Sequence, residues 1–429
     1  MRHYGDSLCK QGEDIFHWKN ARGHWLHLEE QHLDRLKREI NHTTMNLLAP
    51  RQIDACLDLL RLYLPTTPRN VFIPDPGLTS FSNGTLALSK EERTATFRGH
   101  QKEDFILYKI PLEFRDRDDA RNPEFETMVD RVFGTDAEGA AKRATLAQVY
   151  GGALVPCFPR LVLLLGKPGT GKSSIITPLE VILGNENISR VDPTRFRQDY
   201  GLSIMVGKLL NVVKDINLDT RLCTADLKNV EDGGTVTVRR IYRDPIDARI
   251  PALHLYGANE LPRSLETNRA FRRRWSILVC DQFQPSGFYD RNFAENVVRR
   301  DPQGVMNFAV SGLQDLLARG GHYLNPASGV QQMDEWELSS DPVAQFLADL
   351  EAGEVQIAGG YKTHDGESYL KRTELFQVFD EWRETGGMRR LDLPRHEFYA
   401  RLRSRGVRDK IVDGVRYFAG ITRNPGEKF

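Results

Sequence analysis

The sequence predicts an α/β protein built on a nucleotide-binding core, with a mixed α+β region before it and a small helix-and-hairpin unit after it. Three observations carry this. The apolar run 161–165 feeds directly into Gly166-Lys167-Pro168-Gly169-Thr170-Gly171-Lys172-Ser173, a G-x-x-x-x-G-K-S loop, and an apolar helical pattern follows it. From about 160 to 285, apolar strands alternate with helices, the pattern of a sheet covered by helices. Near the C-terminus, helical spacing gives way to two short strands around Asp413-Gly414, a tight-hairpin signal.

The elements follow in order. Residues 13–28 read as a hairpin, and two helices follow at about 29–40 and 50–64, the second closed by Pro65. Phe72-Ile73, Phe81–Gly84 and Thr85–Leu88 read as short strands around Asn83-Gly84. Helices at 123–133 and 140–150 lead into the first core strand, and the helix after the loop should stop at Gly184, with Pro178 kinking it or loosening one hydrogen bond. A helix covers 305–317; in the last stretch, helices at 373–384 and between Pro394 and Gly406 precede the hairpin. Four segments result: 1–70, 71–157, 158–335 and 336–429.

Composition sets limits. Among 429 residues, Lys+Arg and Asp+Glu each number 59, so a nucleic-acid surface must come from local clustering. No apolar stretch approaches the ~20 residues of a membrane span. Five scattered cysteines without a C-x-x-C pair argue against a zinc knuckle or a disulfide framework and fit a reducing cytoplasm. His24, His27 and His32 lack a recognisable ligand spacing and read as hairpin and helix-surface residues.

The loop carries the first chemistry. Its glycines let backbone N–H groups point at phosphate oxygens, Lys172 reaches the β/γ-phosphates, and the Ser173 hydroxyl ligates Mg²⁺. Gly166, Pro168, Gly169, Thr170, Gly171, Lys172, Ser173 and Ser174 are thus the expected ATP-binding residues. Downstream, the strand at 208–216 ends in Asp215, a carboxylate placed to face Mg²⁺ and the attacking water, with Asp219 as the fallback. The strand from Leu253 ends in Asn259, whose amide can bond water or the γ-phosphate. A basic cluster, Arg269 to Arg274, precedes a further strand and suits an arginine reaching a triphosphate across a subunit boundary. Between Asp215 and Asn259, alternating Thr and Val at 235–238 read as one arm of a finger tipped by Arg239, Arg240, Tyr242 and Arg243, turned back by Asp244-Pro245. Such a finger suits single-stranded DNA, its cations tracking phosphates and Tyr242 stacking.

In this order, loop, carboxylate strand, basic hairpin, Asn259-Glu260-Leu261-Pro262 and Arg273-Arg274-Trp275 resemble the superfamily 3 helicases, among them the phage-, plasmid- and poxvirus-type primase-helicases. Phe81-Ser82-Asn83-Gly84-Thr85-Leu86 resembles an element of the domain before the ATPase in that family, and Gln148 to Pro156 resembles its lead-in to the loop. The resemblance covers about 70–429. It implies a P-loop AAA+-like ATPase core and a homo-hexamer translocating on single strands. Asp215 then falls on the acidic strand end and Asn259 on the sensor asparagine. The trans-acting arginine falls on Arg273 or Arg274, with Arg274 favoured, and Lys228 lies in the lead-in to the DNA hairpin. The chain departs from the pattern in having Lys214-Asp215 where the family usually has Glu. Upstream of residue 70 there is no room for a primase domain, so a separate primase or replication initiator is the expected partner. The last segment resembles a winged helix, its basic helix carrying Arg395, Arg401, Arg403 and Arg405.

The expectation is an ATP-dependent helicase acting on single-stranded or forked DNA in the replication of a phage, plasmid or other mobile element, with ATP and Mg²⁺ bound between subunits and no membrane partner. The alternative is a P-loop regulatory ATPase whose winged helix binds DNA or protein without unwinding. A small-molecule kinase is more remote, since it needs no basic hairpin.

Overall fold

The computed structural model describes residues 7–19, 23–28, 30–45, 47–68, 70–89, 91–115, 120–196, 200–216, 224–241, 243–262, 272–283, 292–351, 361–364, 367–385, 393–412 and 414–419. The chain forms two compact units, with the boundary between Gln332 and Met333.

The first unit opens with an antiparallel sheet of β1 (Leu8–Gln11), β2 (Asp14–Lys19) and β3 (His24–His27), of which the sequence signalled the last two. Phe16, Trp18 and Trp25 turn inward at alternating positions and are buried with Val71 and Phe72. Helices α1 (Glu30–Thr43) and α2 (Pro50–Tyr63) follow, with Pro50 in the first turn, where its missing N–H costs nothing. The expected strand at Phe72-Ile73 is instead a turn. The Phe72 ring plugs the core beside Phe16, at 5.6 Å between centroids, so burial of the side chain is met from a turn. A second antiparallel sheet joins β4 (Leu78–Ser80), β5 (Thr85–Ser89) and β6 (Thr94–Arg98). Asn83 fixes the turn by exchanging two 2.9 Å hydrogen bonds with the Phe114 backbone.

Helices α3 (Pro123–Phe133) and α4 (Ala137–Ala153) lead to the core. The core comprises β7 (Leu161–Leu165), α5 (Lys172–Leu183), β8 (Ile188–Ser189), α6 (Gly201–Met205), β9 (Leu210–Val213), α7 (Thr224–Glu231), β10 (Thr235–Arg240), β11 (Arg243–Arg249), β12 (Leu253–Ala258) and β13 (Trp275–Val279). Five strands form one all-parallel sheet in the order β13-β7-β12-β9-β8. Both faces are covered, which is why its inner strands read as continuous apolar runs. Pro178 lies inside α5, which nonetheless runs on to Gly184. Helices α8 (Phe293–Arg300) and α9 (Pro302–Ala318) complete this unit, and α9 meets α4 backbone to backbone: a Cβ on Gly312 would stand 1.8 Å from the Ala147 oxygen.

Among the described residues strands β10 and β11 pair only with each other, and Asp244-Pro245 sits inside β11 rather than at the turn. A proline is tolerated there because a two-stranded ribbon leaves an outer edge that needs no donor.

Helix α10 (Ala327–Ser340) carries the chain across the boundary. The second unit holds α11 (Pro342–Glu351), β14 (Tyr361–His364), β15 (Glu367–Lys371), α12 (Arg372–Thr385), α13 (Arg395–Ser404), β16 (Arg408–Val412) and β17 (Val415–Ala419). Its antiparallel sheet runs β14-β15-β17-β16, and its core gathers Phe346, Leu370, Phe379, Phe398 and Phe418. Pro394 caps α13 rather than occupying its first turn, and Gly406 ends that stretch at φ +88°. Among the described residues no helix is long and apolar enough to cross a membrane.

Candidate active site

The register of the parallel sheet brings the sequence-predicted residues to one edge. Leu165 lies opposite both Ala258 and Val279, and Val213 opposite Tyr256. The residues that follow these strands, Gly166, Asn259, Cys280 and Asp215, therefore emerge together at the carboxyl edge, where open parallel sheets bind ligands. The Ile216 N–H donates to the Gly257 carbonyl at 2.9 Å, which holds Asp215 beside the Asn259 strand.

Two glycines make the loop possible. A Cβ on Gly166 would lie 2.1 Å from the Cys280 carbonyl oxygen, and Gly171 combines φ +88° with a Val132 methyl 2.5 Å from where its Cβ would be. The Thr170 hydroxyl closes the loop onto the Lys167 carbonyl at 2.8 Å. Helix α5 then starts at Lys172 with no side-chain cap from Gly171, so its first N–H groups and the positive end of its dipole are available to an anion. Ser173 is exposed in that first turn, and Pro168 is exposed on the loop.

Lys172 is 9% exposed. Its Nζ donates to the Gly166 carbonyl, to the Lys167 carbonyl at 3.1 Å and to Asn259 Oδ1 at 2.9 Å. Burial pulls its pKa below the ordinary lysine value, against the opposing pull of Cys280 and Asp215. The lysine that precedes Asp215 is turned away. Lys214 Nζ pairs with Glu180 Oε2 at 2.8 Å and bonds the Thr177 hydroxyl at 3.2 Å, so it leaves the exposed Asp215 carboxylate to the site. Asp219 lies outside the described residues. Sequence reasoning missed Lys142 of α4, which is 2% exposed and pairs with Asp281 Oδ2 at 3.3 Å, just beyond β13. Nothing in its local sequence marks it; only the packing of α4 against the core brings it there.

The basic segment lies at the other edge. Trp275 stands opposite Leu161, where β7 begins, so Arg274 is separated from its own chain's 166–173 loop by the length of the strand, roughly 16 Å at about 3.3 Å per residue. Arg274, favoured from the sequence as the reaching arginine, is committed within its own chain. It is 6% exposed; its Nε meets Glu231 Oε2 at 2.9 Å and its Nη2 meets both Asp232 oxygens at 2.8 Å. Arg273 is exposed, and among the described residues its side chain makes no ion pair or hydrogen bond. Burial pushes Glu231 up to about 7, a rise that Arg274 and Arg160 only partly offset.

The hairpin arginines divide the same way. Arg240 Nη1 and Arg243 Nη1 each lie 2.6 Å from an oxygen of Asp14, which is 1% exposed and also accepts from His27 Nε2 at 2.8 Å. Burial alone would raise the Asp14 pKa, but the hydrogen bonds from His27 and Arg240 overcome it and hold the carboxyl at about 2. Arg240 and Arg243 are thus tied to β2 rather than presented at a tip. Arg239 is exposed and Lys228 half-buried, while Tyr242 lies outside the described residues.

With this geometry in view, comparison with known proteins is informative in two places. Residues 1–134 match the family described as D5 N terminal like. Residues 164–274 match a family of unknown function, DUF5906. Among solved structures, the chain is similar to the A form apo structure of the NrS-1 C terminal region, with 11% identity and a TM-score of 0.51, covering 95% of this chain and 93% of that one. A second apo structure of the NrS-1 C terminal region is 11% identical with a TM-score of 0.44, over 80% of this chain and 96% of that one. Among curated proteins nothing matches. The first likeness establishes a shared fold.

Every residue singled out from the sequence, from Gly166 to Arg274, falls inside the DUF5906 segment. The D5 N terminal like segment supplies Asp14, which grips the hairpin, and Val132, which packs on Gly171. The two matched segments are therefore joined at both the hairpin and the glycine-rich loop.

In the second unit, the arginines of α13 are also engaged. Arg401 and Arg405 meet Asp341 at 3.4 and 2.7 Å, and Arg395 lies over the Phe376 ring at 5.0 Å.

Proposed function

We propose that the chain is an ATP-dependent DNA helicase acting in replication of a phage, plasmid or other mobile element, working as a ring of identical subunits. The observation that carries this reading is the Lys172 ammonium, held by two loop carbonyls and Asn259 Oδ1 at the sheet's carboxyl edge without an acidic partner among the described residues. A cation stored this way lacks only an anion, and the glycines around it leave room for phosphate oxygens. Ser173 and Asp215 offer hard oxygen donors that fit Mg²⁺, which when bound would neutralise charge on the β- and γ-phosphates. Lys172 exchanges its carbonyls for the β/γ-phosphate oxygens, Asn259 orients the attacking water, and Asp215 accepts its proton. The exposed Arg273, too far from its own loop, serves the neighbouring subunit's nucleotide, so turnover depends on assembly.

The match of residues 1–134 to the D5 N terminal like family and the resemblance to superfamily 3 helicases support the replication setting. In the second unit, the pair α12–α13 followed directly by the β16–β17 hairpin, within the order helix, strand, strand, helix, helix, strand, strand, supports a winged helix. The test is ATP turnover measured across protein concentration, with and without single-stranded DNA. Turnover per subunit should rise with concentration and with DNA; a rate indifferent to both sinks the reading.

One observation favours the rival regulatory ATPase: Asp14 holds two of the hairpin arginines that a translocating finger would present. Strand displacement on a forked duplex separates the two, since only the helicase unwinds it.

A further inference from the structure

We infer that Arg274 is a positioning residue that couples the arginine segment before β13 to the β10–β11 hairpin, so that nucleotide state at a subunit junction is transmitted to the DNA-facing arm. The inference rests on the reading above. It begins with two neighbouring arginines of opposite fate, Arg273 exposed and Arg274 buried against carboxylates. Those carboxylates occupy a particular place. Glu231 is the last residue of α7, Asp232 opens the turn that follows, and β10 begins at Thr235. The turn is itself closed, with the Asp232 N–H donating to the Lys228 carbonyl at 2.9 Å and the Gly233 N–H to Val230 at 3.2 Å. Arg274 therefore grips the root of the hairpin.

Arg160 stiffens the other side. Its guanidinium donates to the Arg273 carbonyl, to the Trp275 carbonyl at 2.9 Å and to the Ser276 hydroxyl at 3.0 Å, and it stacks on the Tyr323 ring at 5.4 Å. With carbonyls on both sides of Arg274 held, the segment cannot pivot about one peptide, so displacement of Arg273 is passed to its neighbour. Arg160 also immediately precedes β7, whose far end is the phosphate loop. A buried guanidinium and its carboxylates move together because parting them would strand a charge away from water. At its other end the hairpin is fixed by Asp14 to Arg240 and Arg243. Between these anchors one face of the arm is also packed, with Val238 and Ala248 buried beside Phe72, so motion entering at Glu231-Asp232 is carried along the arm as a unit to its open face, where the exposed Arg239 lies.

The experiment uses the full chain and reads ATP turnover with and without a single-stranded oligonucleotide. Asp232→Asn and Glu231→Gln should keep unstimulated turnover within about twofold of wild type while losing about tenfold or more of the stimulation by oligonucleotide. Asp232→Glu, which keeps the carboxylate, should restore stimulation, a rescue that a general loss of folding would not show. Melting temperatures identify any variant that does not fold; Asp232 is half-exposed, so its substitution carries the test if Glu231→Gln fails. Wild-type stimulation in a folded Asp232→Asn protein overturns the coupling, as does unstimulated turnover reduced as far as in Arg273→Ala. A wild-type chain with no turnover, or with turnover indifferent to oligonucleotide and dilution, overturns the helicase reading itself and this inference with it, and that result is visible before any variant is compared.

Discussion

The two edges of the central sheet treat their cations in opposite ways. At the carboxyl edge, Lys172 is held by carbonyls and an amide, groups that orient an ammonium without neutralising it. At the amino edge, Arg274 lies between two carboxylates that leave it nothing to offer a ligand. The lesson is that burial alone does not distinguish a cation still open to an anion from one already neutralised, since both side chains are under a tenth exposed. The partner's charge does. A buried cation with neutral partners is electrostatically unfinished, and an incoming polyphosphate completes it; a buried cation with acidic partners is complete.

Substitutions at the two edges should therefore diverge. Lys172→Ala should reduce ATP turnover to background while leaving the melting temperature close to wild type, because no charged partner is stranded. Next in size, Arg273→Ala should lower turnover by about 10³-fold, the lower end of what an arginine supplied in trans contributes, while fluorescent-nucleotide titration shows ATP binding retained. Arg274→Ala should act on stability instead, costing about 3–5 kcal/mol because it leaves Glu231 buried without its guanidinium, readable in urea unfolding. If Arg274→Ala melts like wild type but no longer turns over ATP, the contrast between the edges is broken.

The smallest effect sharpens the comparison at a third place. Asp14, held at about 2 by His27 and Arg240 against the 3.8 of a free carboxyl, contributes about 2 kcal/mol. Because the folded value is the lower one, that contribution is present above pH ~4 and is lost as the pH falls toward 2. Acid unfolding of Asp14→Asn should lack this step in the same window.

The geometry of the 166–173 loop was legible because it is local: eight consecutive residues carry both the backbone bend and the cation, and the strand before and helix after them follow from apolar spacing. Asp215 and Asn259 were legible for a related reason, as each marks the end of an apolar strand that could only be buried. The choice between Arg273 and Arg274 was not legible. They are adjacent and chemically identical, and their different burial is decided by Glu231 and Asp232, about 40 residues away in sequence. Asp14 was harder still, since it meets Arg240 across 226 positions; a pattern of basic residues near a hairpin looks the same whether a phosphate or a remote carboxylate satisfies them. Phe72-Ile73 misled for a simpler reason, because apolar side chains signal burial and not the conformation that achieves it.

The seam between α4 and α9 has a bearing on how this sequence can drift. Gly312 faces the Ala147 oxygen and Gly151 faces the Leu313 nitrogen, each with main-chain atoms where a methyl would have to go. Main chain cannot swing aside as a side chain can, so neither position admits even alanine without prising the helices apart. One of those helices runs into the strand that bears the 166–173 loop and the other follows the last strand of the sheet. Two hydrogen atoms thus hold shut the join on which the spacing of everything between them is set.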